Sequence, residues 1–222
     1  ISTVNMDFIT AGTSGAVRAA LKMDQVRTLA ALYAPLDGMN EAGLAVSVNM
    51  IQDSATIAQN TDKLDITTTT AVRLLLNKAG NVEDALTLLE EYDLHASMGM
   101  MIHFALTDRT GRSVVVEYID QEMVVTETPV VTNFYLAEGE KHGIGTQQSH
   151  ERYDILTELL AQKETMSIAD VRDALERVSK KNFDDYASTE WSIVFDLDAG
   201  TAQYYHRENY EQQYAFSLTE GE

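Results

Sequence analysis

The stretch DGMNEAGLAVSVN, residues 37–49, contains the sharpest change from turn to core strand in the chain. Its opening Asp-Gly pair and Asn40 favour a turn, because Asx side chains bond nearby backbone and glycine adopts conformations that other residues avoid. Gly43 permits close backbone approach, and the apolar run that begins at Leu44 is typical of a buried strand. We therefore predict a turn that leads into a strand within the core of a sheet.

Helices are predicted on the C-terminal side of this strand and again later in the chain. Residues 67–92 have the pattern of a helical hairpin, whose second helix starts at the capping residue Asn81. Two further helices are expected at residues 149–162 and 167–178, and Ser167 is a suitable N-cap for the second of them.

Strands are predicted where short apolar or alternating segments lie between turn residues. These segments are residues 1–9, 43–51, 101–107, 113–119, 122–126, 130–135, 190–197, 201–207 and 214–218. Residues 14–34 are predicted to be helical for part of their length. Grouped strands followed by grouped helices indicate an α+β fold, and two antiparallel sheets between helical layers would satisfy this order. Because no Gly/Ser-rich linker divides the sequence, residues 1–222 are expected to form a single domain.

The charge balance restricts the partners of the protein. The chain has 16 basic and 35 acidic residues, a formal net charge of −19, and such a surface repels phosphate backbones and anionic lipid headgroups. We therefore expect neither nucleic-acid nor membrane partners. No apolar run reaches the roughly 18 residues that cross a bilayer. Residues 1–9 lack the basic and apolar regions of a secretory signal, so we expect a cytoplasmic location.

The chain contains no cysteine. This excludes disulfides, thiolate metal ligands and a cysteine nucleophile within these residues. The five histidines are scattered without ligand spacing, and no glycine-rich phosphate loop occurs. We therefore expect neither a metal nor a cofactor.

Four segments resemble one family of enzymes. The turn and strand of residues 37–49 look like the characteristic DGMNE segment of choloylglycine hydrolases, penicillin V acylases and the related acyl-CoA:6-aminopenicillanate acyltransferases. HFALTDRTGRSVVVEYIDQEMVV (103–125), followed by TPVVTNF (128–134), resembles the middle hairpin of that family and its Thr-Asn segment. SHERYDIL (149–156) and WSIVFDLDAGTAQYYHREN (191–209) are similar to the helix that follows and to the final hairpin. The matches are collinear and cover most of the chain.

The resemblance implies an αββα Ntn-hydrolase fold and the hydrolysis of linear amide C–N bonds outside the peptide backbone. In such enzymes a cysteine is the first residue of the mature chain, and its free α-amino group takes the thiol proton directly or through water. The thiolate attacks the amide carbonyl, and backbone and Asn donors hold the oxyanion. Water then hydrolyses the acyl-enzyme, whereas an acyltransferase uses another amine.

Two asparagines are the candidate site residues. Asn133 matches the active-site Asn of the family, which donates to the developing oxyanion; an Asn that merely closes a strand is the alternative. Asn49 is the candidate for the second Asn of bile salt hydrolases. An alignment shifted by one residue places Met50 there instead, and such a shift in a strand turns the side chain to the opposite face.

Other parts of the family site have no counterpart in the sequence. The resemblance implies an N-terminal cysteine, so the chain is expected to lack the N-terminal segment that carries the nucleophile. If Ile1 were removed, Ser2 or Thr3 would be an alternative nucleophile. The family also has a downstream active-site arginine, for which Arg207 in the last hairpin is a poor candidate.

Three hypotheses about function follow. The first is a hydrolase of linear amides whose cysteine lies outside these 222 residues; its partner is a small-molecule amide, and the resemblance adds homo-oligomers as a form that relatives adopt. The second is a non-catalytic relative that keeps the Ntn fold and binds a small amide or a lipid-like ligand. The third is an α+β interaction domain whose sequence matches are coincidental.

Overall fold

The computed structural model describes residues 2–3, 33–138, 145–181 and 188–218. Of the strand predicted at residues 1–9, only Ser2 and Thr3 lie within these ranges. The predicted helical segment 14–34 lies outside them except for its last two residues.

Groups of strands are separated by two pairs of helices along the chain. In chain order the elements are β1 (Ser2–Thr3), β2 (Asp37–Met39), β3 (Leu44–Met50), β4 (Leu64–Thr67), α1 (Thr68–Lys78), α2 (Val82–Glu90), β5 (Tyr92–His95), β6 (Ile102–Asp108), β7 (Ser113–Ile119), β8 (Glu122–Glu127), α3 (Gln147–Ala161), α4 (Ile168–Arg177), β9 (Trp191–Asp196), β10 (Thr201–His206) and β11 (Gln213–Ser217).

Two antiparallel sheets form the body of the fold. The larger has six strands in the order β1-β2-β3-β6-β7-β8, and the smaller has three in the order β11-β10-β9. The strand predicted after the DGMNE turn is β3, which lies between β2 and β6 as expected for an interior strand. A short parallel pair, β4 and β5, was not predicted, because each strand has only four residues and flanks a helix.

The burial pattern defines four layers. One face of the large sheet, which includes Val46 and Phe104, packs against helices α1 and α2 through residues such as Leu75. Since successive side chains of a strand point to opposite faces, Ala45 lies on the other face, where it packs with residues of β9 and β10. The outer face of the small sheet, including Val194, contacts α4. The predicted αββα arrangement is therefore confirmed.

The DGMNE turn is fixed by Asn40 and Gly43. The side-chain oxygen of Asn40 accepts from the backbone N–H of Leu44 at 3.0 Å. Its amide donates to the carbonyls of Leu76 and Ala79 at 3.1 and 2.8 Å, which satisfies free acceptors at the end of α1. Gly43 has φ +90°, and a Cβ there would lie 2.9 Å from the side chain of Arg109. The motif thus joins the large sheet to its helical layer.

The helix caps agree with the sequence. Thr67 and Asn81 accept from backbone N–H groups in the first turns of α1 and α2. Ser167 and Asp170 form a capping box at α4.

Among the described residues, none of the helices has both the length and the apolar character that a membrane crossing requires.

The strand predicted at residues 130–135 is wrong, because this segment leaves the sheet after β8. Thr128 makes the last ladder bond, from its N–H to the carbonyl of Ser113 at 3.0 Å. Pro129 then has no N–H to continue the ladder. The Thr128 hydroxyl bonds both the N–H and the carbonyl of Val130, which turns the chain. The irregular segment 130–137 that results crosses toward the end of β3.

Candidate active site

Asn133 is held at the end of β3 by the first turn of α3. Its backbone N–H donates to the hydroxyl oxygen of Ser149 at 2.7 Å, and the hydroxyl of Thr132 donates to the carbonyl of Ser149 at 3.0 Å. Ser149 is fully buried, so neither bond competes with water. The backbone on which the Asn133 side chain stands is therefore fixed on one side by a helix.

The side-chain amide of Asn133 has a defined orientation. Its Nδ2 donates to the carbonyl of Met50 at 2.8 Å, and its Oδ1 accepts from Nη2 of Arg152 at 2.8 Å. A guanidinium only donates and a carbonyl only accepts, so these two bonds decide which atom is nitrogen. An amide nitrogen carries two N–H groups, and the second one has no partner within the described ranges. Asn133 therefore presents one free donor.

Arg152 is a site residue that sequence reasoning missed. It lies one turn after Ser149 on α3, and its Nε is buried with no hydrogen-bond partner in the part of the chain that the structure describes. Burial lowers the pKa of Arg152, although an arginine stays charged. The signal for it in the sequence is the segment SHERY (149–153), in which the arginine follows Ser149 by one helical turn.

Arg207, the poor candidate, lies elsewhere. It follows β10 and forms an ion pair with Glu190, with 3.3 Å between Nε and Oε2.

A second cation lies near Arg152. The pKa of Lys180 is lowered, first by burial and then by the positive charge of Arg152. The positive charge of Arg152, which is bonded to Asn133, favours negative charge that develops on a molecule bound there.

The structure brings the strand end that carries Asn49 to Asn133, but the direct contact is made by the next residue. Asn49 lies opposite His103 in the antiparallel register and so shares its face, between the two sheets. Met50 supplies the carbonyl that binds Asn133, while its own side chain is 52% exposed. No side-chain bond of Asn49 occurs among the described residues, and its role stays a prediction.

The segment around Asn133 is also packed from its far side. Phe134 stacks on His150 with ring centroids 4.0 Å apart and meets Tyr153 edge-on at 5.2 Å. Gly145 has φ +74°, and a Cβ there would lie 2.5 Å from Cβ of Phe134 and 2.8 Å from the carbonyl of Asn133. Only glycine fits so close to this backbone.

Ser2 and Thr3 lie away from this point. Their strand pairs with β2, where Thr3 is opposite Asp37. Asp37 is in turn opposite Ser47, three residues before Met50. At about 4.8 Å per strand spacing, the backbone of Thr3 is about 10 Å from β3.

Two cavities lie along β3, and neither is lined by Asn133. One of about 200 Å³ lies between the sheets and adjoins residues 128–131; its walls include Ala45, Ala105, Val115 and Phe195. Another of about 540 Å³ lies at the opposite end of β3, by Asn40 and the end of α1, and is remote from Asn133. No group of three or more metal-ligating side chains occurs within the described ranges.

Three solved structures share the fold of this chain. A cysteine-to-alanine variant of the conjugated bile acid hydrolase from Clostridium perfringens matches with a TM-score of 0.64, 16% identity, and coverage of 84% of this chain and 73% of that chain. An arginine-to-leucine variant of the same enzyme has a TM-score of 0.64 and 16% identity, and the match covers 85% and 75%. Penicillin V acylase from Agrobacterium tumefaciens has a TM-score of 0.56 and 19% identity over 85% and 68%. At these identities the likeness shows the fold, which is that of the Ntn hydrolases.

The family follows from the sequence itself. The model of the acyl-coenzyme A:6-aminopenicillanic acid acyl-transferase family matches residues 31–211, so the chain belongs to this family. The hypothesis that the sequence matches are coincidental is therefore wrong. No curated protein matches the chain.

Proposed function

We propose that this protein is a hydrolase of linear amide C–N bonds outside the peptide backbone, with an N-terminal cysteine nucleophile that is not among these 222 residues. Family membership supports amide hydrolysis or acyl transfer as the general chemistry. The observation that carries the proposal is the side-chain amide of Asn133, which is bonded on both sides and keeps one N–H free.

Asn133 would act as an oxyanion donor. When a thiolate attacks an amide carbonyl, the oxygen becomes negatively charged, and a donor that is already oriented stabilises it without reorganisation. Arg152 and Met50 hold the Asn133 amide before any substrate binds. The positive charge of Arg152 favours the same negative charge. Loss of one such donor costs about 10²- to 10³-fold in kcat in other acyl-transfer enzymes.

The acyl-enzyme would then react with water, or with a second amine in an acyltransferase. The relatives are named for conjugated bile acids and penicillin V, and both amides are suitable first substrates. The apolar cavity between the sheets adjoins residues 128–131, just before Asn133, and could receive apolar atoms of an acyl group.

A non-catalytic relative that binds a small amide or a lipid-like ligand is the second candidate. The observation that favours it is the absence of cysteine from the sequence. The intact mass of the protein isolated from its source, together with the gene sequence that precedes Ile1, separates the two candidates. A mature chain that starts with cysteine supports the hydrolase, and one without cysteine supports the binding protein.

Thiol alkylation tests the hydrolase. The isolated protein is assayed with penicillin V and with a conjugated bile acid before and after complete alkylation by iodoacetamide. We expect alkylation to abolish hydrolysis, and full turnover afterwards would exclude a cysteine mechanism. The cysteine-free polypeptide of residues 1–222 is the control and should be inactive; activity from it would point to Ser2 or Thr3.

We also propose that the protein is a single domain, is cytoplasmic and forms a homo-oligomer. Limited proteolysis tests the first, cell fractionation the second and sedimentation the third.

A further inference from the structure

A buried histidine and glutamate lie beneath the segment that carries Asn133. His103 on β6 and Glu117 on β7 are both fully buried, with 3.2 Å between Nδ1 and Oε1. They occupy neighbouring strands on the face between the two sheets. Neither residue was selected from the sequence as part of the site.

Hydrogen bonds connect the pair to the segment around Asn133 and place a hydrogen on Nε2 of His103. Nε2 of His103 lies 2.8 Å from the carbonyl of Thr132, and because a carbonyl only accepts, Nε2 carries hydrogen. Glu117 accepts from the backbone N–H of Leu136 at 2.9 Å and from that of Ala137 at 2.6 Å. Oε1 of Glu117 also lies within hydrogen-bond distance of Nδ1 of His103, at 3.2 Å. The imidazole thus joins the carboxyl group of Glu117 to the carbonyl of Thr132.

The ionised state of Glu117 depends on these donors. Burial by itself raises the pKa of Glu117, but the hydrogen bonds from His103, Leu136 and Ala137 outweigh burial and lower the pKa below its ordinary value. The backbone N–H groups that Glu117 binds are therefore among the groups that keep its carboxylate ionised.

The pair forms hydrogen bonds with the backbone on both sides of Asn133. His103 holds Thr132, the residue before it, and Glu117 holds Leu136 and Ala137, which come after it. A buried ion pair is weak support for stability, since apolar residues of the same volume often do as well. Its geometric effect is the more informative property: together with Ser149 of α3, it fixes the backbone of a segment that itself forms neither strand nor helix.

We propose that His103 and Glu117 are positioning residues, which hold residues 132–137 so that the Asn133 amide presents its free N–H to the reacting carbonyl. The inference rests on the proposed function. In this proposal the two residues act through the position of Asn133 and not by contact with the substrate.

A double-mutant cycle tests this coupling. Glu117→Gln keeps the shape of the side chain but replaces one acceptor oxygen by an NH2 group that faces N–H donors. In the complete protein we expect this change to lower kcat by about 10- to 100-fold with little change in KM, since small misplacements of catalytic groups have effects of this order. In an Asn133→Ala background the same change should have almost no further effect on kcat. Losses that multiply would overturn the proposal.

Asp93→Asn is the matched control. Asp93 is also a buried carboxylate that accepts from a backbone N–H, that of Thr61 at 2.6 Å, but it belongs to the small parallel sheet. We expect this variant to lower the melting temperature and to leave kcat per folded molecule unchanged. An equal loss of kcat in Asp93→Asn would reduce the Glu117 effect to general destabilisation and overturn the proposal.

Hydrogen exchange separates this inference from the proposed function. The backbone amides of Leu136 and Ala137 should exchange faster in Glu117→Gln than in the unchanged protein or in Asp93→Asn. If the unchanged protein hydrolyses no amide, the proposed function fails while the exchange result still decides whether the pair holds the segment. Unaltered exchange of these amides in Glu117→Gln would overturn the positioning role whatever the activity.

Discussion

Nη2 of Arg152 donates to the side-chain oxygen of Asn133 over 2.8 Å and thereby determines which way that amide points. The carbonyl of Met50 completes the arrangement on the other side. One N–H of Asn133 has no partner among the residues that the structure describes, and it is this group that the proposed chemistry uses. The orientation of the amide is thus a property of the fold.

Removal of the Arg152 guanidinium should release the amide. We expect Arg152→Met to lower kcat by about 10-fold or more, because the Asn133 amide can then rotate and offer oxygen instead of nitrogen to the oxyanion. Arg152→Lys should retain part of the activity, since an ammonium keeps the charge and can make one of the bonds. Steady-state kinetics with penicillin V measures both.

Arg172→Met is the control for this prediction. Arg172 pairs with Asp173 on the exposed side of α4 and makes no contact with Asn133. The arginine at the site has no special role if the two methionine variants have equal kcat.

Gly145 should be sensitive to a single added methyl group. Gly145→Ala places a Cβ within 2.8 Å of the Asn133 carbonyl, in a backbone conformation with φ +74°. Backbone strain of this kind costs about 1–3 kcal/mol, and displacement of the Asn133 segment should lower kcat in addition. Chemical denaturation and kinetics together measure the two effects.

Gly111→Ala isolates the cost of strain. Gly111 has φ +87°, but nothing lies within 4 Å of a Cβ built there. The Gly111→Ala variant should lose stability through backbone strain alone and keep the kcat of the unchanged protein. If Gly145→Ala is no worse than Gly111→Ala in either measurement, the close packing at Asn133 has no consequence.

Acid should weaken α4 through Asp170. Hydrogen bonds and charge from Lys163, with further bonds from Ser167, lower the pKa of Asp170 to about 2, below its ordinary value of 3.8. A carboxyl whose pKa is depressed by folding contributes its full stability above the unfolded pKa and loses it as the pH falls through the folded one. The free energy of unfolding should therefore fall more steeply than that of Asp170→Asn as the pH decreases from about 4 toward 2.

Urea unfolding at a series of pH values measures the difference in free energy of unfolding between the two proteins. The contributions of the other carboxyl groups cancel in this difference. Parallel curves for the two proteins would show that the charge of Asp170 contributes nothing to folding.

Local features of this fold were readable from the sequence, because their causes are local. Asn81 and Ser167 cap helices where short-range patterns place them. The DGMNE turn and its interior strand, β3, are likewise set by glycine, Asx residues and an apolar run. Asn133 was selected through a family motif; it lies beside the end of β3, and its role in the site stays a prediction.

Long-range relations were not readable. Arg152 meets Asn133 because Ser149, one turn earlier on α3, fastens the segment to the helix, and no spacing rule links residues 19 positions apart. The strand predicted at residues 130–135 failed because Pro129 interrupts the ladder although the apolar pattern continues. In the sequence, His103 and Glu117 have the pattern of ordinary strand residues. Only the antiparallel register of β6 and β7 places them side by side.

The kcat of Asn133→Ala in the complete protein tests the central claim most directly. We expect kcat for release of the amine from penicillin V or a conjugated bile acid to fall by about 10²- to 10³-fold with KM nearly unchanged, while the remote variant Asn77→Ala keeps its activity. If Asn133→Ala turns over at the rate of the unchanged protein, the amide of Asn133 does not hold the oxyanion and the site lies elsewhere.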